Sequence, residues 1–146
     1  MKKVKTITIC SSVSHYKQAI EIEKELKKLG IKVKMPKTAG IMKKNDDFDV
    51  THYKTWFKDE NDYYKKTKLM LGHFKKIVES DAILVTNFEK NGFNGYIGGN
   101  ALMEMLVAFL NKKRIYIYNK PSNKLSIIEE IYGLKPIIIN GDLTKI

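Results

Sequence analysis

The chain has 146 residues and a formal net charge of +11, a length that suits one compact domain with a real core. Hydrophobic residues make up 43% and charged residues 29%, which excludes an intrinsically disordered chain. Arg114 is the single arginine among 27 basic residues and Cys10 the single cysteine, so bidentate phosphate or base recognition is poorly served and an intrachain disulfide or Cys-based zinc cluster is excluded.

The elements alternate between strand and helix. Val4 to Cys10 is β-branched and reads as a strand. A helix follows from about Ser14 to Leu29, with Ala19, Ile22, Leu26 and Leu29 on one face and Gly30 in its C′ position. Ile31 to Met35 is a second strand, closed by Pro36. Lys37 to Asp49 is polar and reads as a loop, and Val50 to Glu79 as one or two helices broken near Asn61 or Gly72. Asp81 to Thr86 is a third strand, Asn87 to Gly99 a Gly/Asn-rich loop and Asn100 to Asn111 a helix. Arg114 to Tyr118 is a fourth strand, Ser122 to Tyr132 a short helix with Ser122 at its N-cap, and Pro136 to Ile139 a fifth strand. Strands separated by helices require crossover connections. The fold class is therefore α/β: a doubly wound, Rossmann or flavodoxin-like, five-stranded parallel sheet with helices on both faces, residues 1–146 forming a single domain. The N-terminus lacks a signal-peptide pattern, and no stretch approaches the ~18–20 apolar residues of a membrane span. The expectation is a soluble cytoplasmic chain with no membrane partner.

Ligands of such sheets bind beyond the carboxyl ends of the strands, which selects the loops to read. Asn87, Asn119 and Asn140 each follow a strand, either as turn formers or as a ring of amides around a polar ligand. Ser11, Ser12, Ser14 and His15 lead from the first strand into a helix N-terminus. They serve as caps or hold a sugar or phosphate. Cys10 reads as a small buried hydrophobe. Gly92, Gly95, Gly98 and Gly99 let backbone N–H groups approach a ligand or make a flexible lid; they match neither the P-loop nor the dinucleotide fingerprint. Trp56, Phe57, Tyr63 and Tyr64, interleaved with lysines, fit a half-buried helix face or dimer interface better than a base-stacking strip. His52 and His73 stand at no metal-ligand spacing, so no metal site and no cofactor is expected.

The most informative segment runs from Ala101 to Leu110, where every residue except Glu104 is apolar. Such a helix is buried on most faces, so its lone carboxylate lies at the rim or inside. Near the ligand edge of the sheet, a carboxylate held in a dry cleft is a candidate nucleophile or base.

These residues resemble the nucleoside 2-deoxyribosyltransferase superfamily, including its 2'-deoxynucleoside 5'-phosphate N-hydrolase branch. The resemblance lies in a first strand ending Cys10-Ser11-Ser12, a third opening Asp81-Ala82, and a glycine-containing loop before a helix that bears a glutamate. The spacing from Glu104 through Ala108 to Lys113-Arg114-Ile115 also agrees. The resemblance implies that Glu104 attacks the anomeric carbon of a 2-deoxyribosyl group, and that water or another base then takes the glycosyl group. It also implies a nucleoside or nucleotide as partner and a homo-oligomer with sites near subunit contacts. The chain departs from the pattern in several places. His73 stands where the hydrolase branch has an aspartate, and Ser12-Val13-Ser14-His15 contains no arginine for a 5'-phosphate. The loop before Glu104 is longer, and Leu102-Met103-Glu104-Met105-Leu106 lacks the second family glycine. The resulting assignment is catalytic Glu104 and His73, the latter as general acid or substrate contact, with substrate contacts from Ser11, Ser12, His15, Asn87, Gly98, Gly99, Asn100 and Asn119. The competing classes are a nucleotide-binding or sensor module without catalysis and a lysine-rich binder of single-stranded nucleic acid, the latter disfavoured by the scarcity of arginine.

Overall fold

The structure, a computed structural model, describes residues 2–146. Five strands form one parallel sheet: β1 (Thr6–Cys10), β2 (Lys32–Lys34), β3 (Ala82–Val85), β4 (Arg114–Ile117) and β5 (Ile137–Ile138). Their order is β2-β1-β3-β4-β5. The helices are α1 (Tyr16–Lys28), α2 (Lys37–Asn45), α3 (Tyr63–Val78), α4 (Gly99–Leu110) and α5 (Ile128–Gly133). The expected α/β class and doubly wound parallel sheet are thus present. Among the described residues no helix is long and apolar enough to cross a membrane.

Strand parity decides which residues meet which helices. On one face Cys10, Ile83, Val85, Ile115 and Ile117 pack with Ile77 of α3, with Ala101, Met105 and Ala108 of α4, and with Ile131 of α5. On the other face Ile7, Ile9, Ala82, Leu84 and Tyr116 pack against Ala19, Ile22 and Leu26 of α1. All four residues of β3 are buried, as a strand covered on both faces requires. A smaller cluster of Tyr16, Ala39 and Met42 seats α2 beside α1.

Three of the expected elements are corrected. Lys37 to Asp49 is not all loop, because Lys37–Asn45 is α2. Only Ala39 and Met42 of α2 are buried, and no side chain caps its N-terminus, so its apolar pattern is too sparse to read. Asp46, in the left-handed region at φ 49°, ends it. The stretch from Val50 opens with three 3-10 turns, Val50–His52, Thr55–Phe57 and Glu60–Asp62. Asp49 and Asp59 cap two of them by accepting from Thr51 N and Asn61 N, each at 3.0 Å. These local side-chain bonds hold the backbone in turns where a helix was expected. α3 then runs through Gly72 without a break. The helix expected from Ser122 is confined to α5, and Ser122 Oγ accepts from Lys124 N at 3.2 Å in a local turn instead of capping it.

β1 and β3 are neighbours, yet the chain leaves β1 towards β2 and β3 towards β4. The crevice beyond their carboxyl ends is the topological switch point of the sheet.

Candidate active site

Glu104 sits on the buried stripe of α4 formed by Ala101, Glu104, Met105 and Ala108. That helical spacing turns it towards the sheet and not to solvent, and it is 5% exposed. Asn100, one turn earlier, donates from Nδ2 to Glu104 Oε1 at 2.9 Å. Lys66 Nζ of α3 donates to Asn100 Oδ1 at 3.1 Å. His73, also on α3, places Nε2 3.7 Å from Glu104 Oε2 and 3.7 Å from Cys10 Sγ at the end of β1. Among the described residues Glu104 Oε2 has no hydrogen-bond partner.

Burial dominates the electrostatics. It pushes the Glu104 carboxyl up to about 7, against the opposing pull of the Cys10 thiol, the Lys66 charge and the Asn100 amide. Burial, with Lys76 nearby, brings His73 down to about 4, so its imidazole is neutral at pH 7. Burial and the Glu104 charge raise the Cys10 thiol well above its ordinary range.

Glu104, His73 and Asn100 open onto a cavity of about 500 Å³, within the usual range for small-molecule sites. Tyr16, Tyr53, Trp56 and Tyr64 supply aromatic wall, and Lys37, Lys54, Lys66 and Lys76 supply positive charge. Lys66 lies over the Trp56 ring, 5.8 Å from its centroid. Burial lowers the pKa of Lys54, Lys66 and Lys76, with neighbouring lysines adding to the fall for Lys54 and Lys76.

The other expected substrate contacts lie outside this lining. Asn87 is 1% exposed. Its Nδ2 donates to the Gly95 and Asn119 carbonyls at 2.9 and 2.8 Å, and its Oδ1 accepts from Asn119 N at 2.9 Å. Asn119 Nδ2 returns a bond to the Asn87 carbonyl at 2.7 Å. The two asparagines thus form a bracket between the ends of β3 and β4. Ser11 Oγ donates to the Thr86 carbonyl at 2.9 Å, and Ser12 Oγ accepts from Lys90 Nζ at 2.9 Å. His15 is buried, with Nε2 3.1 Å from the Glu89 carbonyl and its ring edge-on to Phe88. Gly98 and Gly99 form the head of α4, Gly98 fitting closely against the Tyr96 ring. These residues brace the loops behind the cavity.

The sequence offers Cys10 only as a buried hydrophobe and Trp56 only as a helix face or dimer interface, and it does not single out Lys66 or Tyr16. Strand parity held the signal for Cys10, which shares its face with Ile83 and Val85 and therefore with α3 and α4. For Lys66 and Trp56 no local signal existed, because the turns that carry Trp56 to the cavity read as helix.

The geometry defines a doubly wound α/β protein with a buried carboxylate at the switch point. The fold is similar to that of a solved 2-deoxyribosyltransferase from the psychrotolerant bacterium Bacillus psychrosaccharolyticus, with a TM-score of 0.55 over 86% of this chain and 79% of that one, at 13% identity. At that identity the likeness is one of fold. No protein-family model matches the chain, and no curated protein matches its sequence.

Proposed function

We propose that this protein cleaves or transfers the N-glycosidic bond of a nucleoside or nucleotide, with Glu104 as the nucleophile. The observation that carries the reading is the Glu104 carboxylate, buried at the switch point with one oxygen tied to Asn100 and the other unpartnered beside the cavity. The fold shared with a 2-deoxyribosyltransferase supports the same chemistry.

In the first step Oε2 bonds to the anomeric carbon as the glycosidic bond breaks. The electron pair of that bond leaves with the base, which takes up a proton from solvent. In the second step water or an N–H of another base attacks the anomeric carbon and gives its proton to solvent, and Glu104 departs as carboxylate. Asn100 holds the spectator oxygen, and Lys66 behind it favours the ionised form needed for attack. His73 is neutral at pH 7 and holds no imidazolium proton to give, so its role is to contact the sugar. The aromatic wall suits a base, and the lysines suit a phosphate where the chain lacks the arginine of the hydrolase branch.

The test is release of free base from a panel of nucleosides, nucleotides and NAD, followed by chromatography. Glu104→Gln is expected to lower release by at least ~10³-fold, as loss of a nucleophile does. Release unchanged in that variant sinks the reading. The proton that burial keeps on Glu104 favours one alternative, a binding module in which the carboxyl donates a hydrogen bond to the base. Its signature is thermal stabilisation by a nucleotide with no base released.

The reading includes a homo-oligomer. Met103, Leu106, Phe109 and Leu110 of α4 leave a half-exposed apolar face that supports it. A monomer in sedimentation equilibrium at micromolar concentration removes that part.

A further inference from the structure

Cys10, His73 and Glu104 come from β1, α3 and α4, yet their donor atoms all lie within 4.8 Å of one another. All three side chains are buried. The contact of His73 Nε2 with Glu104 Oε2, 3.7 Å, is too long for an N–H···O bond of ~2.7–3.2 Å, and Oε2 has no other partner. The same nitrogen is 3.7 Å from Cys10 Sγ, within reach of a weak hydrogen bond to sulfur. A tetrahedral Zn²⁺ at ~2.3 Å from sulfur and ~2.0–2.1 Å from nitrogen or oxygen sets an S···N edge of about 3.6 Å and an N···O edge of about 3.4 Å. Both edges at Nε2 lie within about 0.3 Å of those values, and the three donor atoms are close enough together for one first-row ion to reach all of them.

The geometry points to a Zn²⁺ site built from Cys10 Sγ, His73 Nε2 and Glu104 Oε2, with its fourth position open to the cavity. The donor set fits the ion. Thiolate and imidazole select Zn²⁺ over Mg²⁺ or Ca²⁺, which take oxygen. Thiolate and carboxylate together neutralise a divalent charge, as burial demands. On binding, the thiol proton leaves to solvent, as does the carboxyl proton wherever Glu104 holds one. Three rigid elements carry the ligands, so little ordering is needed. Binding does not depend on the glycosidic reading, but its consequence does. An ion on Oε2 occupies the lone pair that attacks the sugar, so occupancy stops base release.

The experiment uses the metal-stripped, full-length protein, titrated with Zn²⁺ against a chromophoric chelator and separately with Co²⁺. One equivalent is expected, with a thiolate-to-cobalt charge-transfer band in the near ultraviolet. Zn²⁺ affinity is expected to fall at least tenfold in Cys10→Ser, His73→Gln and Glu104→Gln, each first shown to melt cooperatively. His52→Ala serves as control, because His52 with Asp47 and Asp49 forms an exposed cluster of its own. Absence of the band in the unaltered protein overturns the site without recourse to any variant. So does unchanged affinity in Cys10→Ser, or binding lost in His52→Ala. Base release that Zn²⁺ suppresses over the same concentrations supports the inhibitory role, and release by the Zn²⁺-loaded protein overturns it. Metal binding with no base release under any condition overturns the glycosidic reading and leaves the ion site standing.

Discussion

At the scale of single residues, Glu104 and His73 pull stability in opposite directions as pH changes. The folded Glu104 carboxyl titrates near 7 against an ordinary 4.5, so the folded state binds its proton more tightly than the unfolded one. Its contribution is intact below about pH 4.5 and is lost as pH rises to about 7. The folded His73 titrates near 4 against 6.5, so its penalty is absent above about pH 6.5 and grows as pH falls to about 4. Each full effect is on the order of 3 kcal/mol, and the two slopes cancel where the windows overlap. Relative to the unaltered metal-free protein, Glu104→Gln is expected to gain stability as pH rises through the Glu104 window. His73→Gln is expected to gain it as pH falls through the His73 window. Urea denaturation across pH 4–8 reads this directly, and curves that run parallel for all three proteins refute it. The composition of α4 made Glu104 legible, since one carboxylate in an apolar helix has few places to go. Its neighbours were hidden because contact between β1, α3 and α4 depends on long-range packing.

Among the elements, the segments with strong periodicity were the readable ones. β1, β3, α4 and β4 lie where their apolar patterns put them, each within a residue or two. α2 and the turns from Val50 to Asp62 were not readable, because sparse burial and local aspartate bonds decide them. Asn87 and Asn119 stand at strand ends, and their amides bond to the chain itself. Asn87→Ala removes three side-chain hydrogen bonds and strands buried partners, which is expected to cost about 2–4 kcal/mol in chemical denaturation. A loss under 1 kcal/mol would mean the bracket is not what fixes these loops. Two glycines make a paired test. Gly95 (φ +58°) and Gly30 (φ +78°) are both left-handed. A Cβ at Gly95 would stand 2.4 Å from the Lys120 carbonyl oxygen, whereas one at Gly30 meets nothing within 4 Å. Gly30→Ala is expected to cost about 1 kcal/mol and Gly95→Ala at least about 2 kcal/mol more, read as the difference between their thermal melts. Equal losses would show that strain alone, without the close approach, governs Gly95.

For the whole molecule, the net charge of +11 finds its place in the cavity wall. Much of the lysine surface is solvated or paired with glutamates along α1, where such pairs add little. Lys37, Lys54, Lys66 and Lys76 instead line one cavity, the last three half-buried, where screening by salt is weaker and a phosphate would be drawn in. A nucleoside monophosphate is therefore expected to bind more tightly than the matching nucleoside at low salt. Its advantage should shrink between 50 mM and 500 mM NaCl, while nucleoside affinity stays nearly flat. Isothermal calorimetry of the two ligands checks this, and equal salt dependence contradicts it.

The cavity is built from two halves of unequal persistence. Cys10, His73 and Glu104 stand on the sheet and the two long helices packed against it, within the largest apolar cluster. The facing wall hangs on a satellite cluster of Tyr16, Ala39 and Met42 and on short 3-10 turns. Amide protons of residues 37–62 should exchange with deuterated solvent far sooner than those of β1, β3 and α4, because less burial has to be undone to open them. Ligand capture then has a sequence of events written into the architecture. Opening of that wall is expected many times between successive openings at the carboxylate.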